Sequence, residues 1–177
     1  MSELYGPEFF EGRSDTVILS ASVIAPIVRD MLAPRSLLDV GCGMGEWLEV
    51  FEIEDSLGVD ISAPDGDRFR RHDLTQPLDL HRTFDLVLSL EVGEHLPEEA
   101  AGVLVLSITR HTNTALFSAA VPGQEGKGHI NCQPHEYWHE LFDFYKFEPL
   151  DAIRPLVAND WRVSPWYRDN IFLYVRT

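Results

Sequence analysis

Ser36-Leu37-Leu38-Asp39-Val40-Gly41-Cys42-Gly43-Met44-Gly45 sets the architecture of this chain. It opens as a short run with little polar alternation, the pattern of a strand buried on both faces in a parallel sheet. An acid lies near its end, and glycines follow at positions 41, 43 and 45. Glu46-Trp47-Leu48-Glu49-Val50-Phe51 then has helical spacing, with Trp47, Leu48 and Phe51 on one face. Strand, glycine turn and helix in that order open a nucleotide-binding βαβ unit. Glycine is needed where the backbone turns sharply and lies against a ligand, because a Cβ would intrude.

The spacing narrows the ligand. No Gly-Lys-Ser/Thr follows, which argues against a P-loop, and the third glycine comes two positions after the second, where the NAD fingerprint puts it three on. Asp39-Val40-Gly41-Cys42-Gly43-Met44-Gly45 instead resembles motif I of the class I S-adenosylmethionine (SAM) methyltransferases. The resemblance implies that Asp39, Gly41, Cys42, Gly43 and Gly45 face the amino-acid end of SAM. It also implies an α/β fold: a Rossmann-like, doubly wound sheet of seven strands in the order 3-2-1-4-5-7-6. That sheet is mostly parallel with an antiparallel last strand, and helices cover both faces. A tight strand–helix turn without a ligand is the competing reading.

A length of 177 residues suits one domain with a full core. The expected division is an N-terminal arm and helix over 1–33, a cofactor half over 34–119 and an acceptor half over 120–177. With 45% hydrophobic and 24% charged residues, the composition is that of an ordered globule. The net charge of −15 argues against a nucleic-acid partner, and the Arg68, Arg70 and Arg71 group is too small to reverse that. No apolar run of about 18 residues predicts a membrane span. The first residues lack the basic and apolar regions of a signal peptide. Cys42 and Cys132 read as free thiols of a reducing cytoplasm.

Residues 4–12 carry Tyr5, Phe9 and Phe10 among acids and glycines. They read either as a loose arm or as a flap closing over the cofactor, which makes Tyr5 a candidate contact. Val17, Ala21, Ile24, Val28 and Met31 form a helical stripe, with a kink or restart expected at Pro26. Residues 56–60 predict a second strand ending in Asp60, which is placed to accept hydrogen bonds from both ribose hydroxyls, with Ile61 beside it. A helix N-cap is the plainer role for Asp60. Residues 61–71 leave scarcely one turn where the family usually has a helix, the clearest departure from its pattern. Residues 68–71 occupy the third-strand position. The resemblance then puts Asp73 at the adenine amine and Leu74 against the ring.

Residues 84–90 predict a strong fourth strand, and Glu91-Val92-Gly93-Glu94-His95-Leu96-Pro97 resembles the post-strand motif of the same superfamily. Ligands bind where the winding reverses, beside strands one and four, so Glu91, Glu94 and His95 are expected along that cleft. Pro97 and two glutamates start a helix. Residues 114–119 are the fifth strand, 147–153 the sixth and 171–175 the seventh. The polar, glycine-rich loop 121–135 lies between the fifth strand and a helix opening at Pro134. It is placed to form an acceptor pocket, with His129 and Asn131 on one side of extended chain. Trp161, Trp166 and Tyr167 lie in the connection before the last strand. They either wall the acceptor site or cover the sheet edge.

Methyl transfer to a hydroxyl calls for a general base, a task that suits a histidine near neutrality. His129 is the candidate base, with Glu91 and Glu94 alongside; Glu91 also counts as a cofactor contact. His95 reads as part of the helix-opening motif and His135 as solvent-facing. The 118–138 segment is similar to small bacterial methyltransferases acting on sugar hydroxyls. The expected function is thus SAM-dependent methylation of a sugar or glycoside hydroxyl, releasing S-adenosylhomocysteine (SAH). An amine or carbon acceptor, or a SAM-binding module without catalysis, stands as the alternative. Glu91, Glu94, His129 and His135 offer donors for a divalent metal, but without a tight ligand spacing no metal site is assigned.

Overall fold

The computed structural model describes residues 14–177; Tyr5 and the 4–12 arm lie outside the described residues. The elements are α1 (Ser14–Leu32), β1 (Ser36–Val40), α2 (Glu46–Phe51), β2 (Asp55–Asp60), β3 (Phe69–Arg71), β4 (Leu86–Leu90), α3 (Ala101–Arg110), β5 (Thr114–Ser118), α4 (His135–Phe144), β6 (Phe147–Leu150), α5 (Arg154–Val157), α6 (Pro165–Asn170) and β7 (Phe172–Arg176). Seven strands form one sheet in the order β3-β2-β1-β4-β5-β7-β6, and β7 alone runs against its neighbours β5 and β6. This is the Rossmann-like order that the resemblance implied.

The unbroken apolar strands follow from having a core on each face. Successive side chains point to opposite sides. Leu37, Leu88 and Leu116 therefore join α1, α2 and Tyr167 of α6 on one side. Leu38, Val87 and Phe117 join α3 and α4 on the other. Phe142 of α4 stacks on Tyr174 of β7 with centroids 3.9 Å apart. Such an aromatic pair adds about 0.5–1.5 kcal/mol beyond the area it buries.

Three local details go beyond the sequence reading. Helix α1 runs through Pro26 without a restart. Proline frees only the carbonyl of Ser22, an exposed residue within reach of water, while Ile24, Ala25 and Val28 stay fully buried in the core. The helix expected directly after Pro97 begins as a 3₁₀ turn, Glu98–Ala100, and becomes α-helical at Ala101. The connection before β7 contains two short helices, α5 and α6. The short β2–β3 connection is as predicted, without a helix. It is tied by Arg71 Nε donating to the Ala63 carbonyl at 2.9 Å. Among the described residues, no helix is long and apolar enough to cross a membrane.

Candidate active site

The winding reverses between β1 and β4, and the carboxyl ends of β1, β2 and β4 open into one cleft with an internal cavity of about 280 Å³. Its floor is the glycine turn. Gly41 and Gly43 have positive φ, +89° and +54°. A Cβ on Gly41 would overlap the Val92 side chain, so this turn closes only without one. The Gly41 and Cys42 N–H groups both donate to the Val59 carbonyl, which bends the chain over β2.

Asp60, at the tip of β2, fixes the turn from the side. Its Oδ2 accepts from Gly43 N–H at 3.1 Å and its Oδ1 from Ser62 N–H at 2.8 Å. The carboxylate remains half-exposed on the cleft wall. Asp73 follows β3, and hydrogen bonds from the Thr75 backbone and hydroxyl hold its pKa below the usual carboxylate range. Cys42 lines the cleft as a neutral thiol, because burial pushes its pKa up.

Asp39 and Gly45 stand outside the cavity wall, unlike the other described candidates for the cofactor. Gly45 is the first turn of α2 and faces the Phe69 ring. Asp39 is 2% exposed, and its Oδ2 has no hydrogen-bond partner. Burial first, then the charges of Asp60 and Glu46, raise its pKa well above the usual value. A carboxyl that holds its proton more tightly folded than unfolded loses stability as pH rises through that interval. Asp39→Asn is therefore expected to raise the Tm of the cofactor-free protein by a few degrees, about 1–3 kcal/mol, and to flatten the loss of stability toward alkaline pH. Thermal melts from pH 5 to 9 check this; an unchanged slope removes the strain assigned to Asp39.

The far end of the cleft belongs to the segment after β4. Glu91 takes a left-handed conformation, φ +57°, and its N–H donates to the Ser118 carbonyl at 2.9 Å. Its Oε2 accepts from Gln124 Nε2 at 3.0 Å, Gln124 Oε1 accepts from Asn170 Nδ2 at 2.8 Å, and Asn170 Oδ1 accepts from His135 Nε2 at 3.2 Å. This chain straps the 121–135 loop to α6. Burial pushes Glu91 up to about 7, against the hydrogen bonds that favour its charge. Glu94 is fully buried; burial, then the neighbouring Glu91 charge, holds its pKa well above the ordinary range.

The loop folds back onto this segment. Ile130 and Asn131 N–H both donate to the Glu94 carbonyl, and Asn131 Nδ2 to that of Gly93 at 3.4 Å. Asn131 is thus buried as a clamp outside the cavity and does not share the face of His129. The clamp sets His129 Nε2 3.9 Å from Glu94 Oε1. His95 meets His129 edge-on, with centroids 5.0 Å apart. His135 is half-buried and bound to Asn170, away from both.

The cavity wall also takes residues that the sequence reading passed over: Thr16 and Val17 of α1, Glu46 and Trp47 of α2, and Gln124. Trp166 and Tyr167 reach it too, so the connection before β7 does form a wall. Tyr167 packs edge-on to Trp47 at 5.3 Å. Trp161 is 81% exposed. Only the amphipathic spacing of α1 and α2 carried a hint of these contacts, since the residues converge from both ends of the chain.

The donor set fits a cationic nucleoside. The glycine turn lies along the cavity wall, Asp60 offers two acceptor oxygens, and acids such as Glu46 and Asp73 line the wall. A doubly wound sheet of this order with such a cleft defines the class I SAM-dependent methyltransferases. A family model described as a methyltransferase domain matches residues 20–150, so the chain belongs to that family. Its cofactor is SAM. A search of curated proteins returned no match. The fold is similar to the sugar N-methyltransferase KedS8 from Streptoalloteichus sp ATCC 53650, 21% identical, covering 95% of this chain and 91% of that one with a TM-score of 0.70. It is also similar to Streptomyces venezuelae DesVI (19%, 99% and 98%, 0.68). A third is the magnesium protoporphyrin IX methyltransferase ChlM from Synechocystis PCC 6803 (19%, 99% and 92%, 0.64).

Proposed function

We propose that this protein methylates a hydroxyl of a sugar or glycoside. The observation that carries the reading is the group of titratable side chains at the inner end of the cleft, His129 with the Glu91 and Glu94 carboxyls beside it. Bound SAM supplies a methyl carbon already activated by its positive sulfur. The protein's share is to align an acceptor oxygen and to take up its proton. A neutral hydroxyl needs that help, and His129 is the group proposed to give it, with the Glu91 and Glu94 carboxyls alongside. The polar stretch Gln124, Glu125, Gly126 and His129 along the cavity, which Trp166 also lines, suits a polyol. Asp39, Gly41, Cys42, Gly43, Gly45, Asp60, Ile61, Asp73, Leu74 and Glu91 are proposed to hold the cofactor, some directly and Asp39 and Gly45 through the turn.

The fold likeness to a sugar N-methyltransferase favours a second reading, in which the two buried carboxyls receive an amino sugar. Mass spectrometry of reactions with SAM and paired hydroxy and amino glycosides separates the two. The hydroxyl reading expects a gain of one methyl on a glycoside lacking an amine. Methylation confined to the amino partners overturns it.

A further inference from the structure

We propose that Glu94, His95 and His129 form a binding site for a divalent first-row metal ion at the acceptor end of the cleft. Each residue offers one ligand atom, and the three atoms lie within 4.8 Å of one another. Bonds of about 2.0–2.2 Å from nitrogen and carboxylate oxygen set cis donors about 3 Å apart, so the cluster needs only a small closure around an ion. Two imidazoles and one carboxylate suit the softer divalent ions, Mn²⁺ to Zn²⁺, and leave positions open for other ligands.

Three independent features point the same way. Glu94 is fully buried, and neither carboxyl oxygen makes a hydrogen bond of normal geometry, with only the Glu91 carboxyl and the Glu94 and Ala120 backbone N–H groups close by. A buried carboxylate is tolerated when a cation or a set of donors answers it. Both histidines are oriented from behind. His95 Nδ1 lies 3.2 Å from the Gly128 carbonyl, and His129 Nδ1 lies 3.2 Å from that of Gln124. A carbonyl only accepts, so a proton on Nδ1 satisfies it and turns the lone pair of Nε2 toward an ion, the arrangement that metal-binding histidines adopt; the Cys132 thiol, 3.6 Å from His129 Nδ1, shares that side of the ring. Finally, the donors ride on one hydrogen-bonded frame, since the loop bearing His129 is clamped to the Glu94 carbonyl. A Cβ at Gly126 would overlap His129 at Nε2, so the glycine leaves that nitrogen its space.

The site rests on the proposed hydroxyl acceptor for its use: an ion there would have open positions for a pair of acceptor oxygens, and with His129 bound to the ion the acceptor's proton would pass to the neighbouring Glu91. Its existence is tested without an acceptor. The full chain, freed of metal by chelation and loaded with SAH, is titrated with Mn²⁺ and followed by electron paramagnetic resonance. One Mn²⁺ per chain is expected, displaced by Zn²⁺, with affinity falling at least tenfold in Glu94→Gln and in His129→Ala. Co²⁺ should give a visible spectrum of nitrogen ligation that changes in His95→Ala. No uptake at millimolar Mn²⁺, Co²⁺ or Zn²⁺, or uptake unchanged in Glu94→Gln while its melting curve stays cooperative, overturns the site. Glycoside hydroxyls methylated at full rate in chelator, with no ion bound, overturn the ion's use at the acceptor and keep the hydroxyl reading. Ion bound with only amines methylated keeps the site and overturns the acceptor.

Discussion

His129→Ala is expected to lower turnover by about 10²-fold or more while leaving SAM and SAH affinity nearly unchanged, the loss typical of removing a residue that handles the transferred proton. The separation of effects follows from position. His129 reaches the cleft from the 121–135 loop, beside Glu94 at the inner end. The glycine turn and Asp60, which are proposed to hold the cofactor, belong to β1 and β2 on the other side of the reversal. The ring is 10% exposed and is oriented from behind by the Gln124 carbonyl, so its loss empties a defined place. Single-turnover rates together with SAH calorimetry check this. Unchanged turnover removes His129 from the chemistry, and a parallel loss of SAH affinity would mean that the loop also supports the cofactor.

Asp60→Ala should act in the opposite sense, weakening SAM and SAH binding by about 1.5–3 kcal/mol, or roughly 10–150-fold, through lost hydrogen bonds to a charged group. Two contributions add. The ribose hydroxyls lose their proposed acceptor, and Gly43 N–H loses the oxygen that pins the glycine turn. Asp60→Asn separates them, since the amide oxygen can still accept from Gly43 while the charge is gone. Calorimetry that gives alanine the wild-type affinity removes Asp60 from the cofactor site.

Much of this was legible because strands in a two-sided sheet must be apolar throughout. Leu37-Leu38 and Leu86-Val87-Leu88 advertise burial on both faces, and Gly41 marks the turn where a Cβ would overlap Val92. The acid at the tip of β2 is likewise fixed by spacing alone, since a strand of given length sets where its last residue emerges. Boundaries were less legible. Pro26 is a local signal to break a helix, yet the packing of its neighbours overrides it.

Side-chain convergence was hidden. Glu94 and His129 are 35 positions apart, and only the clamp of Ile130 and Asn131 onto the Glu94 carbonyl sets them 3.9 Å apart. Asn131 looked like a partner of His129 in the pocket and is instead the clasp. His135 looked like a further donor and is held by Asn170. The sequence by itself determined the strands and the glycine turn, because those depend on near neighbours and on unbroken apolar runs, while the order of the sheet and the class of cofactor came from the resemblance of residues 39–45 to motif I. Only the tertiary structure decided which carboxyls and imidazoles share a buried space, because loop closure and burial bring together groups that no local pattern relates.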